Sequence, residues 1–157
     1  MKNMKRNNKG FSLVELIIVI AIMAVLIGVL APAYLRYVEK SRKSSDIQAI
    51  DSIMSAMEAT AIDPEFDMDT TKTMSVTFDA TTGVMTIPDV DTLAYQKELK
   101  DVVGSYTLKS TDWKTGGLTS ITGKINDAGQ VLFTLDGSKV DAILTTGDFP
   151  ADTVKKK

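Results

Sequence analysis

Residues 9–32 read KGFSLVELIIVIAIMAVLIGVLAP, and the fold follows from how this stretch is understood. After Lys9 its one formal charge is Glu15, five residues beyond Gly10, and everything from Leu16 to Ala31 is apolar or glycine. Residues 13–33 form an apolar run with Glu15 as its one polar member, long enough to cross a bilayer as a helix. The run exceeds the 7–15-residue apolar core of an export signal, and no small-residue cleavage pattern closes it. A carboxylate near the bilayer centre costs about 2.5–3.5 kcal/mol even on the lenient insertion scale, so its presence calls for a partner. A plain membrane anchor supplies none.

Charge is distributed to match a membrane segment. The first ten residues, MKNMKRNNKG, carry Lys2, Lys5, Arg6 and Lys9 and no acid. Removing those four from the 18 basic residues leaves 14 against 20 acidic ones, a net charge of −6 for the rest. A basic head, an apolar run and an acidic body fit membrane insertion, not nucleic-acid binding. Orientation is not decided by charge. Arg36, Lys40, Arg42 and Lys43 follow the run, opposed only by Glu39, and balance the four cations before it.

The 157 residues contain no cysteine and no histidine. Disulfides, thiolate or imidazole metal sites and Ser-His or Cys-His catalysis are therefore excluded. A Ser-Lys or carboxylate pair remains formally open to a membrane-anchored enzyme, but no nucleophile motif is present, and the chain reads as non-enzymatic and cofactor-free.

The segment resembles the N-terminus of type IV prepilins and the related pseudopilins. The shared features are a short basic leader ending in Gly10, Phe11 to open the mature chain, SLVE with Glu15 fifth in it, the apolar stretch, and Pro32 near its end. The resemblance is strong over residues 9–45 and otherwise one of layout. It implies cleavage between Gly10 and Phe11 by a membrane-embedded prepilin peptidase, and N-methylation of the new Phe11 amine. The leader would stay cytoplasmic and the globular part face outward, in a single-pass protein of the cytoplasmic membrane.

The subunit would then be drawn into a helical surface filament by an assembly ATPase and a platform protein, as a homopolymer with or without minor pilins. Glu15 would meet the Phe11 amine of a neighbouring subunit, largely protonated at neutral pH with an ordinary pKa of about 7.7–8.0. Pairing offsets the cost of a carboxylate in low dielectric and so selects one docking register. Retention of Glu15 favours the filament body over a tip initiator. The alternative within the resemblance is a pseudopilin of a type II secretion or competence DNA-uptake system. With no cysteine to close a C-terminal loop, the chain looks closer to cysteine-free Gram-positive pilins or to major pseudopilins.

Pro32 lacks a backbone N–H and clashes with the carbonyl of Gly28, so it either ends the membrane helix or weakens a continuous one. The resemblance favours the weakened helix, able to unwind as subunits pack. Beyond it, Ile47, Ile50, Met54, Met57 and Ala61 recur at spacings of 3 and 4, an amphipathic stripe to bury against a sheet. A helix over about 50 residues would measure roughly 75 Å. The cluster Arg36, Lys40, Arg42 and Lys43 suits headgroups before assembly, or acidic loops of adjacent subunits after it. Four charges beside a membrane make a poor nucleic-acid site.

The expected class is α+β, a pilin fold: a long N-terminal helix, apolar then amphipathic, on a small antiparallel sheet. Its parts are a cleaved leader (residues 1–10), a membrane and filament-core half-helix (11–33), an amphipathic half (34–62) and a mostly β globular domain (63–157). A hairpin is expected over residues 73–87 around Gly83. A helix should follow Asp91 or Thr92 as cap and stop at Gly104, carrying Leu93, Leu99, Val102 and Val103. The strongest hairpin joins 119–125 to 130–135 through Asn126–Gly129, and a short strand is expected at 140–144. Asp63, Glu65, Asp67 and Asp69 alternate as in a calcium loop, but without its central glycine and distal glutamate they read as a solvated linker. Lys155, Lys156 and Lys157 read as a frayed end. Trp113 fits either an exposed loop or a cap over the core.

Overall fold

The computed structural model describes residues 10–147, 149 and 152–157, so the leader expected at 1–10 lies, except for Gly10, outside the described residues. Helix α1 runs from Leu13 to Ile62, and Pro32 lies within it without interrupting it. It ends where Pro64 disfavours helical geometry at Asp63. The chain divides into two compact units between Val38 and Glu39.

In the first unit the side chains of residues 13–37 are exposed. The large apolar ones in residues 13–30 range upward from 51% exposure at Ile17 and Val19. A water-soluble monomer rarely leaves a continuous apolar surface of this kind uncovered. The helix is long and apolar enough to cross a membrane.

The second unit is built on a five-stranded sheet in the order β2-β1-β3-β4-β5. Its strands are β1 (Thr73–Phe78), β2 (Met85–Thr86), β3 (Ser120–Ile125), β4 (Val131–Asp136) and β5 (Val154–Lys156). Three pairs are antiparallel, with Phe78 opposite Met85, Val76 opposite Ile121, and Gly123 opposite Phe133. Both expected hairpins form. Asp79 closes the first by accepting from the N–H of Thr81 and Thr82, and Gly83 supplies its positive φ. Asn126 closes the second by accepting from the N–H of Ala128 and Gln130.

One face of the sheet presents Met74, Val76, Ile121, Phe133 and Leu135, which share a core with Ile50, Ile53 and Met57 of α1. Residues 50, 54, 57 and 61 of the expected stripe are buried and Ile47 is half-buried, joined by Ile53, Ala56 and Thr60. Gly123 lets the two layers approach: a Cβ there would lie 3.3 Å from Met57 Sδ and 3.4 Å from Phe133.

Four expectations need correction. The sheet is not purely antiparallel, because β5 pairs parallel with β4, Phe133 opposite Val154. The three terminal lysines are therefore not simply frayed. Buried Val154 anchors the strand, Lys155 and Lys156 lie within it, and Lys156 meets Asp141 at 2.6 Å. Residues 140–144 are not a strand but part of helix α4 (Val140–Thr146). Val140, Ile143 and Leu144 stand at i, i+3 and i+4, a helical spacing in a segment too short to declare its period. This helix lies on the connection between the parallel strands, which cannot be joined by a tight turn. Helix α2 (Ala94–Val103) begins after Leu93 with no side-chain cap, not after a capping Asp91 or Thr92. It stops at Gly104 (φ 71°) and buries Leu99, while Val102 is exposed.

Candidate functional site: the N-terminal segment and a polar clasp

Gly10, Phe11 and Ser12 precede the first turn of α1 in non-helical conformation, and the Phe11 side chain is 91% exposed. Ser12 and Glu15 form a reciprocal cap. The Ser12 N–H donates to Glu15 Oε2 at 2.9 Å, and the Val14 N–H donates to Ser12 Oγ at 3.3 Å. Two otherwise unpaired donors of the first turn are satisfied, and an acid sits at the positive end of the helix dipole. In the unprocessed chain the Glu15 carboxylate thus has a local partner, one residue away from Phe11. Gly28 has open space where a Cβ would stand, so no contact within this chain demands a glycine there. Pro32 contributes no backbone N–H to the helix ladder one turn later.

A second polar constellation opens the other unit, and its full extent was not legible in the sequence. Glu39, Lys43 and Asp46 recur at i, i+4 and i+7 along α1 and grip residues 106–112 together. The Asp46 carboxylate is fully buried. It accepts from the Tyr106 hydroxyl at 2.7 Å, the Lys109 N–H at 2.9 Å and the Ser110 N–H at 2.7 Å. Charge-assisted bonds of this kind make a buried carboxylate tolerable. Position 46 lies one turn before Ile50 and continues the buried stripe, which was the signal that could have found it.

Glu39 accepts from Ser110 Oγ at 2.6 Å, Thr111 N–H at 3.0 Å and Thr111 Oγ1 at 2.8 Å. Ser110 precedes the short helix α3 (Thr111–Lys114) and makes no side-chain cap of its own. Glu39 supplies that cap from α1. Partial burial pushes the Glu39 carboxyl up, but the bonds from Ser110, Thr111 and Asp112 outweigh it and hold it below the usual range. Burial, then the bond to Asp46, pushes the Tyr106 hydroxyl well above the ordinary phenol range. Lys43 donates to Asp112 and stands 5.9 Å from the ring centroid of Trp113. Trp113, left open by the sequence, is buried on α3.

Two of the four cations after the apolar run therefore meet carboxylates of their own chain, since Arg42 also lies 3.7 Å from Glu39. In the acidic loop, Lys72 extends its ammonium to the carbonyls of Phe66 and Asp67, where a bound cation would have been sought. Asp69 accepts from the N–H of Thr71 and Lys72. Among the described residues there is no group of three or more acidic side chains arranged to hold a metal ion.

Residues 5–31 match the family model described as the prokaryotic N-terminal methylation motif. No curated protein and no solved structure matches the chain. The motif is the type IV prepilin signature and covers Gly10, Phe11, Glu15 and Gly28. The chain thus carries the N-terminal methylation motif of type IV pilin-like or pseudopilin-type precursors, ahead of an α+β, pilin-like architecture.

Proposed function

We propose that the chain is the structural subunit of a type IV pilus, made as a membrane-anchored precursor and polymerised through residues 11–33. The observation that carries this reading is the apolar face of residues 13–30, uncovered on all sides and headed by Gly10, Phe11 and Glu15. Such a surface needs lipid in the precursor and other subunits in a fibre. Prepilin peptidase cleaves between Gly10 and Phe11 and methylates the Phe11 amine. Ser12 and Glu15 already turn the carboxylate toward that end of the helix. In the fibre Glu15 exchanges the Ser12 N–H for the charged amine of a neighbouring subunit, and the assembly ATPase and platform protein drive that transfer. Gly28 and Pro32 form the weak turn of the segment.

The test is to shear the cell surface, sediment the released material and read this protein's N-terminal peptide by mass spectrometry. A chain beginning at Phe11 with one added methyl group, recovered in fibres, is the expected result. The same chain confined to the membrane fraction would assign it to a pseudopilin of a secretion or DNA-uptake machine. A chain still beginning at Met1 would refute processing altogether.

A further inference from the structure

We propose that the clasp of Glu39, Lys43 and Asp46 is the stop at which local opening of α1 ends. For residues 13–37 the described structure records no side-chain hydrogen bond beyond the helix's own first turn. These residues hold their helix by backbone bonds alone, in a ladder that lacks one rung at Pro32 and includes Gly28. Isolated helical turns are marginal, and an opening spreads until it meets residues tied into a cooperative unit.

The first such tie is Glu39, the first residue of the second unit. From there three consecutive turns are bonded to one short segment. Glu39 holds Ser110 and Thr111, Lys43 holds Asp112, and Asp46 holds Tyr106, Lys109 and Ser110. Arg42 adds an ion pair to Glu39. Apolar packing takes over at Ile50. Tension entering through residues 11–33 of an assembled fibre can therefore lengthen the helix as far as Val38 without disturbing the globular unit. That purpose rests on the filament reading; the position of the stop does not.

Hydrogen–deuterium exchange of the full chain in detergent micelles, read by mass spectrometry, tests it. Amides of residues 34–38 should exchange as in an unsupported helix, and those of 39–46 should be protected nearly as well as 50–57. Glu39→Ala should speed exchange in 39–46 by about tenfold or more, the loss expected for charge-assisted bonds, while 50–57 change little. Ser110→Ala removes one bond of the clasp from the other side without touching α1, and should shift the same boundary by less. It remains readable if Glu39→Ala also loses protection of β3 and β4. A boundary that stays at residue 39 in both variants, or lies elsewhere in the parent, would overturn the inference. Fibre recovery is scored separately, so failure of the filament reading cannot be mistaken for failure of the stop.

Discussion

The backbone N–H of Ser110 donates to the carboxylate of Asp46 at 2.7 Å across 64 positions of sequence, inside the protein and out of contact with water. That bond and its two companions join the N-terminal helix to the segment that carries Trp113. Removing the acceptor leaves two amides and a hydroxyl without their partner. Asp46→Ala should therefore destabilise the globular unit by about 3 kcal/mol, read as a lower urea midpoint for the full chain in detergent. A loss below about 1 kcal/mol would mean that water replaces the carboxylate at little cost.

Glu39 makes the clasp sensitive to acid. Its folded pKa lies below the ordinary value of 4.5, so its contribution is present above that value and is lost as pH falls through the folded pKa. The melting temperature should drop between about pH 5 and pH 3, and the drop should be shallower in Glu39→Gln. Asp69 and Asp79, also lowered by hydrogen bonds, remain in both proteins and cancel in the comparison. Equal slopes would mean that Glu39 contributes nothing to the acid sensitivity.

Gly123 is set where helix and sheet meet. A methyl group there finds Met57 Sδ at 3.3 Å and Val131 at 3.4 Å, so Gly123→Ala is tight and Gly123→Val is overpacked. The valine should cost about 1–3 kcal/mol, measured by urea unfolding, with the alanine well below it. Equal costs would indicate a layer spacing that yields freely.

The C-terminal strand separates packing from surface charge. Val154 is buried against the sheet, and Val154→Ala should cost roughly 1–2 kcal/mol. Lys156→Ala breaks an exposed pair with Asp141 and should cost less than about 1 kcal/mol. The reverse ranking by thermal unfolding would mean that the lysines, not the valine, hold the strand.

Legibility in the sequence followed the length of each pattern. The apolar run, the 3–4 stripe from Ile47 to Ala61 and the turns at Gly83 and Asn126–Gly129 carry many residues of one period or a specific turn chemistry, and each has its counterpart in the structure. Residues 140–144 span barely one turn, too little to distinguish helix from strand. The strand at Val154 has one apolar anchor among lysines, and its pairing depends on β4, some twenty residues earlier. The role of Asp46 is not written in the sequence, because its partners lie sixty or more positions away and no local spacing points to them.

Under the proposed function, Glu15 selects the subunit's place in the fibre. The most direct measurement compares the sheared surface fraction and the membrane fraction of cells carrying Glu15→Ala with those of the parent. The Glu15→Ala chain should be cut before Phe11, retained in the membrane and absent from fibres. Normal fibres built from Glu15→Ala would contradict it, and the carboxylate would then serve only the helix cap with Ser12.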